Sequence, residues 1–159
     1  MKKLLLAISI SLITQLTFAF DNPVMDSYGT WAGKGQFGEK YKIVINKHGF
    51  EDYHKTNLEE KCHGKLYFRQ KLITYSGKQL LKQINESTKM YQGEENYKEA
   101  IAYWQKIKTR INQNQQYKVI HVDSDCAESY EEFAFLSPNE GIYIHSDPED
   151  SYDYLRKIH

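Results

Sequence analysis

Two stretches of this 159-residue chain combine residue types and spacing that could do chemistry. Gly33-Lys34-Gly35-Gln36-Phe37-Gly38 has the G-x-G-x-x-G spacing with which a glycine turn brings backbone N–H groups up to phosphate. That use needs a buried strand before the turn and a helix after it. Here the run leads into Tyr41-Lys42-Ile43-Val44-Ile45, a strand-like segment, so it reads as a hairpin. Asp123-Ser124-Asp125 opens like a calcium loop, but the later ligand, turn and bidentate positions hold Ala127, Glu128 and Ala134 in place of an oxygen ligand, Gly and Glu. The six histidines, at 48, 54, 63, 121, 145 and 159, have no paired metal-ligand spacing. No Gly-x-Ser-x-Gly nucleophile elbow occurs. The expectation is therefore a protein that is not an enzyme, with no catalytic residues, no metal ligands and no cofactor.

Cys62 and Cys126 are the remaining reactive residues, and their state depends on the compartment. Lys2 and Lys3, the apolar run Leu4 to Leu16 and the tripeptide Thr17-Phe18-Ala19 form the three parts of a secretory signal peptide. The run is too short for a membrane span, which takes about 20 apolar residues. Cleavage after Ala19 would start the mature chain at Phe20, with no cysteine there to carry a lipid. Residues 1–19 are thus expected to be a signal peptide, 20–159 one β-rich domain, and the location periplasmic or secreted. In an oxidising compartment an even pair of cysteines reads as a disulfide. Closing a loop of about 65 residues would stabilise the fold by roughly 4 kcal/mol through lost chain entropy. The Cys-x-x-Cys spacing of a redox pair is missing.

The elements that must position these residues are mainly strands. Tyr41–Ile45, Lys65–Phe68, Lys71–Tyr75 and Gln79–Ile84 are short runs rich in Val, Ile and Tyr, separated by His48-Gly49 and Ser76-Gly77. Such punctuation predicts antiparallel strands joined by tight turns. Tyr117–Val122, Tyr130–Leu136 and Gly141–His145 repeat the pattern, with a turn at Pro138-Asn139. Between the two sets lies a helical insertion at about 93–116. Tyr97, Ala100, Ile101, Trp104, Ile107 and Ile111 form one apolar stripe of a helix over 96–112, with Asn96 and Glu99 placed for a capping box. Asp147-Pro148-Glu149-Asp150 with Arg156 and Lys157 predicts a short C-terminal helix. The expected fold is α+β and mainly antiparallel β: a β-barrel or strongly twisted sheet with one packed helix and a short C-terminal one, Trp31 and Trp104 in the core.

Charge divides along the chain. Residues 21–118 hold 17 Lys and Arg against 11 Asp and Glu, and residues 119–159 hold 2 against 10. The total is balanced, which argues against nucleic acid, since neutralising phosphates takes a net basic domain. A charge-divided surface suits an oppositely charged protein partner. With aromatic and Arg character favoured at interfaces, Tyr103, Lys106 and Arg110 on the helix are the expected contact face.

Tyr28-Gly29-Thr30-Trp31 resembles the Gly-x-Trp opening of lipocalins and fatty-acid-binding proteins. Gly29, Trp31 and Gly33, followed by Cys62-His63-Gly64-Lys65-Leu66 and then Cys126, resemble small exported bacterial β domains that open Gly-x-Trp-x-Gly and carry a later Cys-x-Gly-x-Leu strand. The second resemblance implies binding or sensing without assigned catalysis. The expected function is a non-catalytic periplasmic or secreted binding module for a protein partner, an inhibitor or immunity protein being one form. The alternative is a lipocalin-like carrier of a small apolar ligand, which requires an enclosed cavity of at least about 300 Å³.

Overall fold

The computed structural model describes residues 27–46, 49–52, 68–124, 130–145 and 151–158. The signal-like segment, Cys62 and Cys126, the strand residues 65–67 and the capping run 147–150 lie outside the described residues. Eight strands form one antiparallel sheet: β1 (Gly29–Lys34), β2 (Lys40–Asn46), β3 (Gly49–Asp52), β4 (Phe68–Ser76), β5 (Gln116–Ser124), β6 (Tyr130–Ser137), β7 (Glu140–His145) and β8 (Ser151–Lys157). Their spatial order is β3-β2-β1-β8-β7-β6-β5-β4. Two meanders are thus joined where the first and last strands meet. The sheet curls until β3 and β4 approach within 8 Å at Cα. No ladder joins these two strands among the described residues, so the sheet is curled and not closed into a barrel.

The connection from β4 to β5 holds two helices where the sequence suggested one. The segment Gln79–Ile84, expected as a strand, belongs to α1 (Gly77–Met90). Ser76 and Gln79 make a reciprocal capping box: the Gln79 N–H donates to Ser76 Oγ at 3.3 Å, and the Ser76 N–H donates to Gln79 Oε1 at 2.8 Å. Leu80, Ile84 and Ser87, at helical spacing, then turn one face inward. The second helix, α2 (Lys98–Lys108), follows a single 3₁₀ turn at Glu95–Tyr97 and is shorter than expected. Asn96 lies in that turn and makes no cap, and α2 has no side-chain cap bond at its start. The expected C-terminal helix is corrected too: Ser151–Lys157 is strand β8, paired with β7 on one side and β1 on the other. Two ladders outweigh cap and dipole signals that would have held an isolated helix.

Alternation along the strands sorts the core into two layers. Tyr117, Val119, Ala134, Leu136, Ile142, Ile144 and Tyr152 face α1 and α2, where they meet Leu80, Ile84, Trp104 and Ile107. Trp31, Ile43, Ile120, Phe133, Phe135, Tyr143 and Leu155 line the inner, concave face. Both tryptophans are fully buried, one in each layer. The inner layer is tightly filled, with the Trp31 ring 4.7 Å from Phe133 and 5.9 Å from Phe135, centroid to centroid. Phe133 lies over Gly141, where a Cβ would come within 2.3 Å of its ring.

Two expectations test this arrangement. Gly141→Ala forces the buried Phe133 ring to move and should lower stability by about 1–3 kcal/mol in denaturant titration. Ser76→Ala removes the α1 cap and should cost about 1 kcal/mol; a strand at 79–84 would leave stability unchanged.

Candidate functional site

At the corner where α2 crosses the junction of β1 and β8, the Tyr103 hydroxyl donates to the Lys34 carbonyl at 2.5 Å and accepts the Tyr154 N–H at 2.8 Å. Lys34 and Tyr154 are register partners, so the phenol is spliced into the ladder itself. Burial pushes the Tyr103 phenol up to about 12, the donated Tyr154 N–H opposing the rise. Arg110 stacks on the Tyr154 ring at 4.2 Å and donates to its hydroxyl at 3.1 Å. The Tyr154 hydroxyl donates to Glu140, and Arg156 approaches the same carboxylate at 3.3 Å. Of the three residues expected to form a contact face, Tyr103 and Arg110 are therefore brought together around Tyr154 to hold α2 on the sheet. Lys106 is exposed and lines an open groove of about 280 Å³ with Lys34, Gln36 and Glu99.

The glycine run at 33–38 covers the end of β1 and most of the β1–β2 hairpin loop, and the loop's backbone donors at 35–38 are spent within the chain. Gly35 N–H donates to the Glu39 carbonyl at 2.9 Å, and Gly38 N–H to the Gly35 carbonyl at 3.0 Å. Phe37 N–H donates to the Glu39 carboxylate and Gln36 N–H to the Asp153 carboxylate, each at 3.1 Å. A Cβ on Gly35 would sit 1.9 Å from Glu39 Oε1, so the exposed Glu39 side chain would have to move aside for it. Two acids thus occupy the place a phosphate would take. The loop is also anchored from the helix side, since the Trp104 indole donates to Gln36 Oε1 at 2.9 Å.

Buried polar groups gather in two further places that sequence reasoning did not find. On the helix side, Glu132 is 1% exposed and its Oε1 takes the Tyr75 hydroxyl at 2.6 Å and lies 2.8 Å from His121 Nδ1. Burial, and then this bond to a carboxylate, raise the Tyr75 phenol. On the inner side, the β7–β8 register pairs His145 with Ser151 and Tyr143 with Asp153. Ser151 Oγ meets His145 Nε2, and Asp153 Oδ2 lies 3.9 Å from that same nitrogen. A hydrolytic relay needs the carboxylate on Nδ1 and the hydroxyl on Nε2, so these three residues are not arranged as a triad. The only signal for either cluster was parity: Glu131-Glu132 and Tyr152-Asp153 alternate across a sheet covered on both faces.

Among the described residues no three His, Cys, Asp or Glu side chains come together to hold a metal ion. His121 and His145 point to opposite faces of the sheet. The outer side of α1 borders a second open groove, of about 440 Å³, lined by Lys78, Lys82, Asn85 and Lys89 with Leu81 and Gln113. Lys108 of α2 donates to Asn85 Oδ1 beside it at 2.8 Å. Comparison with protein-family models, curated proteins and solved structures finds no match for this chain.

The buried phenol gives a pH test. Because the folded state holds Tyr103 neutral up to about 12 while an unfolded tyrosine ionises near 10, the unfolded chain carries fewer protons between those values. Stability must then fall as pH rises from 10 to 12. Tyr103→Phe should flatten that slope and remove one late step from the 295 nm alkaline titration; an unchanged slope would contradict the splice.

Proposed function

We propose that this chain is a non-catalytic binding module for a protein partner, exported to the periplasm or beyond and cross-linked by Cys62 and Cys126. The observation that carries the reading is how the polar groups are divided. Inward ones close largely on one another, as in Glu132 Oε1 with Tyr75 and His121, and in Asp153 with Gln36, although Glu132 Oε2 and Gln83 Oε1 are buried without a hydrogen-bond partner among the described residues. The lysines of the helical layer stay at the surface, along two open grooves. Interfaces form where exposed donors and shape are offered together, with water held between them. The packed aromatic rings of the inner face favour this reading over a carrier, which would need that volume for its ligand. The likeness to small exported β domains, and an inhibitor or immunity role, belong to the same proposal.

The test is photo-crosslinking in the native host, with a photoreactive residue replacing Lys82 or Lys106 in the helical layer, or Lys42 on β2. A discrete protein adduct from the helical positions and none from position 42 is expected. A copurifying lipid-like molecule with no protein adduct would overturn the proposal in favour of the carrier.

A further inference from the structure

The two helices differ in charge at their N-terminal ends, while each carries lysine in its last turn. Helix α2 follows the rule that anions stabilise the positive N-terminal end of the helix dipole and cations the negative end: Glu99 is in its first turn, Lys106 and Lys108 in its last. Helix α1 has no acid in its first turn and carries Lys78 there instead. Its cap comes from the neutral Ser76 and Gln79, and the Gly77 N–H donates to the Gln115 carbonyl at 2.8 Å, so this end is closed by neutral groups and Lys78 has no acid in the same turn. Lys78, Lys82 and Lys89 then fall within about 40° of one another at 100° per residue, away from the buried Leu80, Ile84 and Ser87. The groove lies along this same row. One carboxylate, Glu86, borders it, 3.7 Å from Lys82, and both of those side chains are more than half exposed to water.

Resting on the binding-module reading, we infer that the α1 groove receives an extended acidic segment of the partner protein. From Lys78 to Lys89 the helix rises about 16 Å, the length of roughly five extended residues. Carboxylates on such a segment would meet the three ammonium groups, beginning with Lys78 in the first turn of α1. The Asn85 amide, whose Oδ1 already accepts from Lys108, offers its N–H donors, Gln113 adds a second amide, and the half-buried Leu81 gives one apolar seat. Nucleic acid is disfavoured because the groove has neither arginine for phosphate forks nor an aromatic ring for base stacking. A membrane surface is disfavoured because α1 exposes one large apolar side chain, Met90, at its far end, and no apolar stripe to insert.

The experiment uses the purified full chain and a fluorescein-labelled peptide of eight residues, Glu and Asp with one central Leu, in an anisotropy titration. Binding that weakens with salt is expected, together with at least a tenfold loss in the triple variant Lys78→Gln, Lys82→Gln, Lys89→Gln. The paired change Lys40→Gln, Lys42→Gln on β2 should leave it unchanged. Because Lys78 opposes the dipole, Lys78→Glu should raise the melting temperature while weakening the peptide, so loss of folding cannot imitate loss of the site. Equal binding by the triple variant, no binding at low salt, or binding of a sulfated oligosaccharide or anionic vesicles in place of the peptide would each overturn the inference. If it fails while the helical layer still crosslinks to a protein, the binding-module reading stands and only the acidic segment is lost.

Discussion

The junction of β1 and β8 is the constraint on which the remaining architecture depends. These strands come from opposite ends of the described chain, and their register runs only from Trp31 opposite Lys157 to Lys34 opposite Tyr154. By contrast β4 and β5 pair along their full length, from Phe68 opposite Ser124 to Ser76 opposite Gln116. The short junction is extended by side chains. The Tyr103 hydroxyl bridges that last pair, Lys34 and Tyr154, and Asp153 takes the Gln36 N–H beyond it. Both extensions tie in α2, through Tyr103 itself and through Trp104 on Gln36. The helical layer therefore fastens the two meanders to each other, and cannot be lifted without exposing the place where they meet.

Burying carboxylates is costly unless donors accompany them. Glu132 and Asp153 lie inside a sheet covered on both faces, at 1% and 2% exposure. Their partners come from distant parts of the chain: Tyr75 and His121 for one, Gln36 for the other. A hydrogen bond to a charged group contributes about 1.5–3 kcal/mol when both partners are present, and losing one leaves the other stranded. Such groups specify which strand neighbours which, because a sheet with another order would leave them unmatched. The β7–β8 register also brings Ser151, His145 and Asp153 together.

In the binding-module reading we propose, an outside partner meets the surface of the helical hairpin. Its two helices lie side by side, yet α2 has an acid in its first turn and α1 has a lysine there. A local rule broken without internal compensation often marks a place where function has overridden stability. Lys78 in the first turn of α1 is such a break, and it sits at one end of the lysine row.

Periodicity and turn chemistry alone determined much of the architecture. The strands at Tyr41–Ile45, Lys71–Tyr75, Tyr117–Val122, Tyr130–Leu136 and Gly141–His145, the hairpin at the glycine turn and the buried face of α2 were legible because each depends on neighbours a few residues away. Helix α1 reads in the sequence as a strand at Gln79–Ile84 after a turn at Ser76-Gly77, although its signals, Ser76-x-x-Gln79 and the spacing of Leu80, Ile84 and Ser87, are present there. Strand β8 was not legible, since its local caps favoured a helix and only β1 and β7, far off in the chain, reversed them. The roles of Tyr103 and Arg110 were decided the same way: on a helix wheel both face outward, and the Tyr154 they grip arrives from 44 to 51 residues later. Local free energies can be read along a chain; pairing across the sheet depends on which distant partner arrives, and that is settled only in three dimensions.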